Sequence, residues 1–209
     1  MKKRCSKAVK LVMMLVCFIM IVGCDTPSLP FVDATLSPEQ AQTFVTVADI
    51  KGYKKLGLTP AKMDEETKEY SAVDQVVPVI SEMHYIIYQY VLVTRYLDKA
   101  NKPCSIANTA ILFTGKDVAR DRFNSSLTVL QNNGAKQLGG DLAKEYNADS
   151  ALVYTNPQGK SIHVLKGEVM LEVHFFGFPL EEPQVRESII KKIEYITKNG
   201  INGNKPGYV

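Results

Sequence analysis

The chain has 209 residues, 45% of them hydrophobic, which is enough for one domain with a substantial core and too apolar for a disordered polypeptide. It carries 25 Lys and Arg against 22 Asp and Glu. Five of the basic residues, Lys2, Lys3, Arg4, Lys7 and Lys10, fall in the first ten positions, so the remainder holds 20 basic residues against 22 acidic ones and makes no electrostatic case for binding nucleic acid.

The basic start MKKRCSKAVK leads into the apolar run LVMMLVCFIMIV, Leu11 to Val22. A charged start and a short apolar middle form an export signal. The run is too short to span a bilayer as a permanent helix, which takes about 20 residues. At its end Ile21, Val22, Gly23 and Cys24 resemble the lipobox of bacterial lipoprotein precursors. The resemblance implies cleavage between Gly23 and Cys24, a diacylglyceryl group on the Cys24 sulfur and acylation, as by palmitate, of the new amino terminus. Each buried methylene contributes about 0.8 kcal/mol, so several chains together make a stable anchor. Asp25 resembles the signal that keeps enteric-type lipoproteins in the inner membrane. The expected address is therefore the bacterial cell envelope, on the inner membrane and facing the periplasm.

Loss of residues 1–23 removes Cys5 and Cys17, and lipidation occupies Cys24, which leaves Cys104 as the one thiol and no intramolecular disulfide. Residues 24–36 form the lipidated cysteine and a proline-spaced tether, and 37–209 a single domain. Ser37, Pro38 and Gln40 have the form of a helix start, with Ala41, Phe44, Val45, Ala48 and Ile50 inward and an end near Gly52. Tyr53 to Gln75 reads as a polar connection. Met83 to Leu97 is rich in β-branched and aromatic residues and predicts a long strand, with Ser105 to Phe113 returning beside it. Cys104, at the edge of that strand, lacks the surroundings of a reactive thiol.

Thr114 and Asp117 look like a capping pair for a helix carrying Val118, Ala119, Phe123, Leu127 and Leu130, which ends at Asn132 to Gly134. Ala151 to Thr155, Ser161 to Leu165 and Glu168 to Phe176 then alternate with period two, the last pair joined by a turn at Lys166 and Gly167. In this reading Val169, Leu171, Val173 and Phe175 face the core, while Glu168, Met170, Glu172 and His174 face outward. Glu181 to Gly200 is amphipathic, with Val185, Ile189, Ile193 and Ile196 on one stripe. The pattern predicts an α+β fold: a single antiparallel sheet of about four to six strands, with helices packed on one face and helices at both ends of the domain. The order of TVADIKGYKKLG, a long hairpin, LFTGKDVARDRF, LGGDLAKEY with Gly140, Asp141 and Ala143, a glycine-turn hairpin and a closing helix looks like that of uncharacterised bacterial lipoproteins. That likeness implies an envelope-facing α+β module and no activity.

No nucleophile elbow, paired helical histidines, CxxC or phosphate-loop motif is present, and Gly139, Gly140 and Asp141 read as a tight turn. His84, His163 and His174 invite a metal reading. With the turn at Lys166 and Gly167, however, His163 falls opposite Met170 and His174 nearly opposite Gly159, about 13 Å apart along the strands at about 3.3 Å per residue. Ligands of one ion must converge, so no metal site and no cofactor is expected. Two candidate binding surfaces remain: the tyrosines of the long strand, Tyr85, Tyr88, Tyr90 and Tyr96, and the outward face of the last hairpin, His163, Met170, Glu172 and His174. The leading expectation is a membrane-anchored, non-enzymatic binding or interaction module for another envelope component, a protein or a small amphiphile. A carrier of a small apolar or amphiphilic ligand is the alternative, and an envelope hydrolase a third.

Overall fold

The computed structural model describes residues 38–56, 59–60, 75–78, 86–177 and 180–201. All of them belong to the second of two units into which chain contacts divide the molecule, Met1–Phe31 and Val32–Val209. Cys24, Gly23 and Asp25, the cap Ser37, His84 and Tyr85 lie outside the described residues. Among the described residues eight strands pair antiparallel in one sheet: β1 (Thr59–Pro60), β2 (Gln75–Pro78), β3 (Ile86–Leu97), β4 (Pro103–Phe113), β5 (Lys136–Gln137), β6 (Ser150–Asn156), β7 (Gly159–Lys166) and β8 (Val169–Phe176). Their order is β1-β3-β4-β8-β7-β6-β5, with β2 also on β3. Six of the strands have four residues or more, and the fold is α+β as the alternation of patterns predicts. Among the described residues no helix is long and apolar enough to cross a membrane.

The helices are α1 (Pro38–Thr43), α2 (Lys116–Asn132), α3 (Ala143–Tyr146) and α4 (Arg186–Asn199). The expectation that they share one face of the sheet is corrected by the packing, which forms two separate apolar clusters. The larger joins Leu92, Ile106, Leu112, Ile162, Val164, Leu171, Val173 and Phe175 of the sheet to Phe44, Val45 and Ile50 and to Val185, Ile189, Ile193 and Ile196 of the closing segment. The smaller joins Ala119, Phe123 and Leu127 of α2 to Ile111, Phe113, Tyr154, Leu165 and Met170. Neighbours along one strand, such as Leu171 and Met170, belong to different clusters, so α2 lies on the opposite face from α1 and α4. Strands that are apolar on both faces require cover on both, which is the reason for the second layer.

Local chemistry explains where the elements begin and end. The first helix stops at Thr43, well before Gly52, because the amide of Asn108 clamps Val45, two residues on. Asn108 Oδ1 accepts from Val45 N at 2.8 Å, and Asn108 Nδ2 donates to Val45 O at 2.9 Å, which replaces helical bonding by a strand-like bridge in the core. Lys192, also buried, donates to Ala41 O at 2.7 Å and pairs with Asp49 at 3.2 Å, fixing the same segment to α4. Gly115, rather than Thr114, is the N-cap of α2, and it supplies no side-chain cap. The stripe Val185, Ile189, Ile193 and Ile196 is buried as its spacing predicts. Tyr146 donates to Glu182, which also accepts two bonds from Arg186 at 2.7 and 2.6 Å, tying α3 to the start of α4. Burial and the Glu182 carboxylate together push the Tyr146 phenol up.

The last hairpin turns one residue later than expected. Lys166 pairs with Val169, so Gly167 and Glu168 occupy the turn, with Gly167 at φ +62° in the position where a type II′ turn reserves glycine. The register therefore moves by two residues along the partner strand. His163 faces Glu172, and His174 faces Ser161. The preceding hairpin closes more tightly than the NPQGK spacing suggests, around Pro157 and Gln158, with Asn156 Oδ1 accepting from the Gln158 and Gly159 amides.

Candidate functional site

The corrected register gathers a polar layer on the sheet face that carries α2. Cross-strand pairing places Leu152, His163, Glu172 and Thr109 in one row, and Tyr154, Ser161, His174 and Ala107 in the next. Tyr154, His163, His174 and Phe176 form a chain of rings across β6, β7 and β8, with centroid separations of 6.1, 5.3 and 6.0 Å. Ser126 lies within the sheet-facing stripe of α2 and brings its hydroxyl to Glu172, while also donating to Phe123 O at 2.9 Å. Gln131 donates to the Tyr154 hydroxyl at 3.3 Å, and that hydroxyl donates to Gln137 at 3.4 Å.

The charge states follow from these contacts. Burial pushes the Glu172 carboxyl up, but the hydrogen bond and charge of His163, the charge of His174 and the Ser126 hydroxyl outweigh it and hold it below the usual range. An ionised carboxylate only accepts hydrogen bonds, so His163 Nδ1 carries the proton in its 3.2 Å bond to Glu172 Oε1. Its other nitrogen, Nε2, is buried with no hydrogen-bond partner. Burial and the neighbouring His163 depress His174 to about 4, against the opposing pull of Glu172.

Beyond α2 the same face is only partly covered. Thr109, Val91, Val93, Arg95, His174 and Phe176 are half-buried there, around a floor of the small residues Ala107 and Ser161. The helix packs over the end that carries Ile111, Phe113, Leu165 and Met170, and the strip lies towards the other end.

The expected binding surfaces fare differently. Tyr88 and Tyr90 are half-buried against the main core with rings 6.4 Å apart, and Tyr96 is buried in it. They lie on the opposite face from His163, Met170, Glu172 and His174, so the two groups do not form one surface. Nor does the hairpin group face outward: Met170 and His163 are buried, and Glu172 and His174 half-buried. The histidine separation inferred from spacing is corrected as well, since a two-residue change of register brings the rings to 5.3 Å. Sequence reasoning missed Ser126 and Tyr154. The helical recurrence of Ala119, Phe123, Ser126 and Leu127, with a serine inside an apolar stripe, is the signal that could have found the first. Cys104 is buried, with Sγ 3.5 Å from Tyr96 O, and burial together with Asp98 pushes its thiol up to about 11, which suits a structural residue. Asp141 closes the β6 edge, accepting from the Ala143 and Ala151 amides and the Ser150 hydroxyl. Among the described residues no group of three or more His, Cys, Asp or Glu is arranged to hold a metal ion. No known protein family, curated protein or solved structure matches the chain.

Proposed function

We propose that the protein is a lipid-anchored component of the bacterial envelope, on the inner membrane and facing the periplasm, whose domain binds another envelope protein and catalyses no reaction. Support for the address comes from the basic start, the short apolar run and the Ile21, Val22, Gly23, Cys24 lipobox. Support for binding comes from one observation above all: the strip of Val91, Val93, Thr109, His174 and Phe176 that α2 leaves half-uncovered beside the imidazole and carboxylate layer. Apolar and aromatic groups with a few fixed polar ones are the composition of an interaction surface. Anchoring confines the domain to a thin layer, where weak contacts to membrane partners become effective.

The hydrolase reading has its own observation, the Glu172 carboxylate holding His163 through Nδ1. A general base must reach the proton it removes. His163 Nε2 is enclosed, with no hydroxyl in hydrogen-bond reach, and this favours the binding reading. Two measurements test the proposal. Labelled palmitate should enter the wild-type chain and not the Cys24→Ser variant. A photo-crosslinking residue at Val93 or Phe176 should capture a discrete envelope protein, while the same residue at Thr128, on the exposed side of α2, should not. Equal labelling of both chains overturns the anchor. Crosslinks absent from positions 93 and 176, or equally strong from 128, overturn the binding strip.

A further inference from the structure

The segment that opens the domain is held as a bound peptide is held. Residues 38–51 run from α1 through an extended stretch, Phe44–Thr46, into a single 3-10 turn, Val47–Asp49, and contain no strand. This strap lies on the face of the sheet opposite the strip assigned above, where Asn108 stands in one row with Leu92 and Val173 and α4 forms the wall. Its anchors in that groove are Phe44, Val45 and Ile50, each exposed by 1% or less.

The polar ties address the main chain of the strap. Asn108 spans the N–H and the carbonyl of Val45, Lys192 donates to Ala41 O, the Ser188 hydroxyl donates to Asp49 O at 3.0 Å, and Lys51 N donates to Gln184 O at 2.9 Å. The ion pair of Lys192 with Asp49 adds a contact to a side chain. Bonds to main-chain atoms are indifferent to the side chains a segment carries, and together with pockets for a few anchors they are the means by which extended peptides are recognised. Asn108 and Lys192 are both buried, so each has given up water for partners that the strap supplies. Apolar side chains in their places would hold a permanent segment at a lower desolvation cost.

We propose that this groove is a peptide-binding site and that residues 38–51 are its displaceable resident, exchanged for a segment of a partner protein with the same chemistry. That chemistry is an aromatic residue followed by a β-branched one, an acidic residue four positions after the second, and an aliphatic residue next to the acid, as in Phe44, Val45, Asp49 and Ile50. Asn108 takes the backbone of the β-branched residue and Lys192 takes the acid. A ligand enters only when the strap leaves, so the fraction of open groove sets its apparent affinity. The site is separate from the strip on the other face and stands whether or not that strip is used.

A fluorescent peptide with the sequence of residues 38–51, titrated into the full chain in detergent and followed by anisotropy, tests this. It should bind saturably to the wild-type chain, and about tenfold or more tightly to the Val45→Asp chain, whose own strap cannot bury an ionised side chain and leaves the groove open. If that variant does not fold, Val45→Ala weakens the strap less severely and the same order of affinities is expected. The peptide carrying Val45→Pro lacks the N–H that donates to Asn108 Oδ1 and should bind about tenfold or more weakly. Absence of saturable binding to the wild-type chain overturns the proposal, as does equal affinity for the wild-type and strap-weakened chains or for the two peptides. A wild-type chain that sediments as a dimer and is split by the peptide holds the strap of a second copy in the groove, and overturns the assignment to a different partner.

Discussion

At the residue scale, this fold depends on a few groups whose replacement leaves no alternative geometry. Asn108 completes the backbone bonding of Val45 inside the core, a role that neither a larger apolar side chain nor alanine can supply. Gly159 is stricter still. A Cβ placed there would lie 1.8 Å from Phe175 O and 2.9 Å from the Phe175 carbonyl carbon, both backbone atoms of the adjoining strand. Backbone cannot rotate aside as a side chain does, so β7 and β8 must separate locally. Gly159→Ala is expected to cost about 3 kcal/mol. Urea unfolding checks it, and a midpoint unchanged from wild type would mean that the two strands do not approach as described.

At the element scale, the division into two cores predicts that equal truncations on the two sides behave differently. Ile193→Ala removes a fully buried side chain from the cluster that joins α1, α4 and the sheet, and should lower global stability by about 2–5 kcal/mol. Phe123→Ala removes a larger side chain, but from the small cluster alone. Its effect should appear first as faster amide exchange confined to residues 116–132, with a smaller fall in the main unfolding transition. Exchange spreading equally to α4 would show a single cooperative core. The same division marks what was legible in the sequence. The stripes of Phe123 and Leu127 and of Ile189, Ile193 and Ile196 were readable, because helical recurrence reports burial whichever face provides it. Which face provides it was not readable, since a strand such as VMLEVHFF offers apolar side chains in both directions. The turn of the last hairpin shows how narrow the margin was for the site. Placing glycine second instead of first in the turn changes the cross-strand register by two residues, and His163 acquires Glu172 in place of Met170. The early end of α1 was illegible for a different reason, because its cause, Asn108, is 63 residues away.

At the scale of the whole molecule, the buried charges decide how the domain responds to acid. His174 is held below its ordinary value, at about 4 in place of 6.5, so the unfolded chain binds a proton that the native state refuses, and stability declines as pH falls from 6.5 to about 4. A shift of that size corresponds to about 3 kcal/mol, an upper bound because His174 keeps part of its surface in water. Glu172 and Glu182 are both held below the usual carboxylate range. Their contributions are complete above the ordinary value of 4.5 and disappear as pH falls through the native values. The two windows adjoin, so stability should be level from pH 7 to 8, fall gradually through the histidine window, and fall more steeply below 4.5. The first loss belongs to one side chain. Urea midpoints measured at pH 7.5, 5 and 4 test the assignment. Wild type should weaken at pH 5, whereas His174→Phe should hold its pH 7.5 midpoint there and weaken only at pH 4. A variant that weakens in parallel with wild type at pH 5 would place the acid sensitivity elsewhere in the fold.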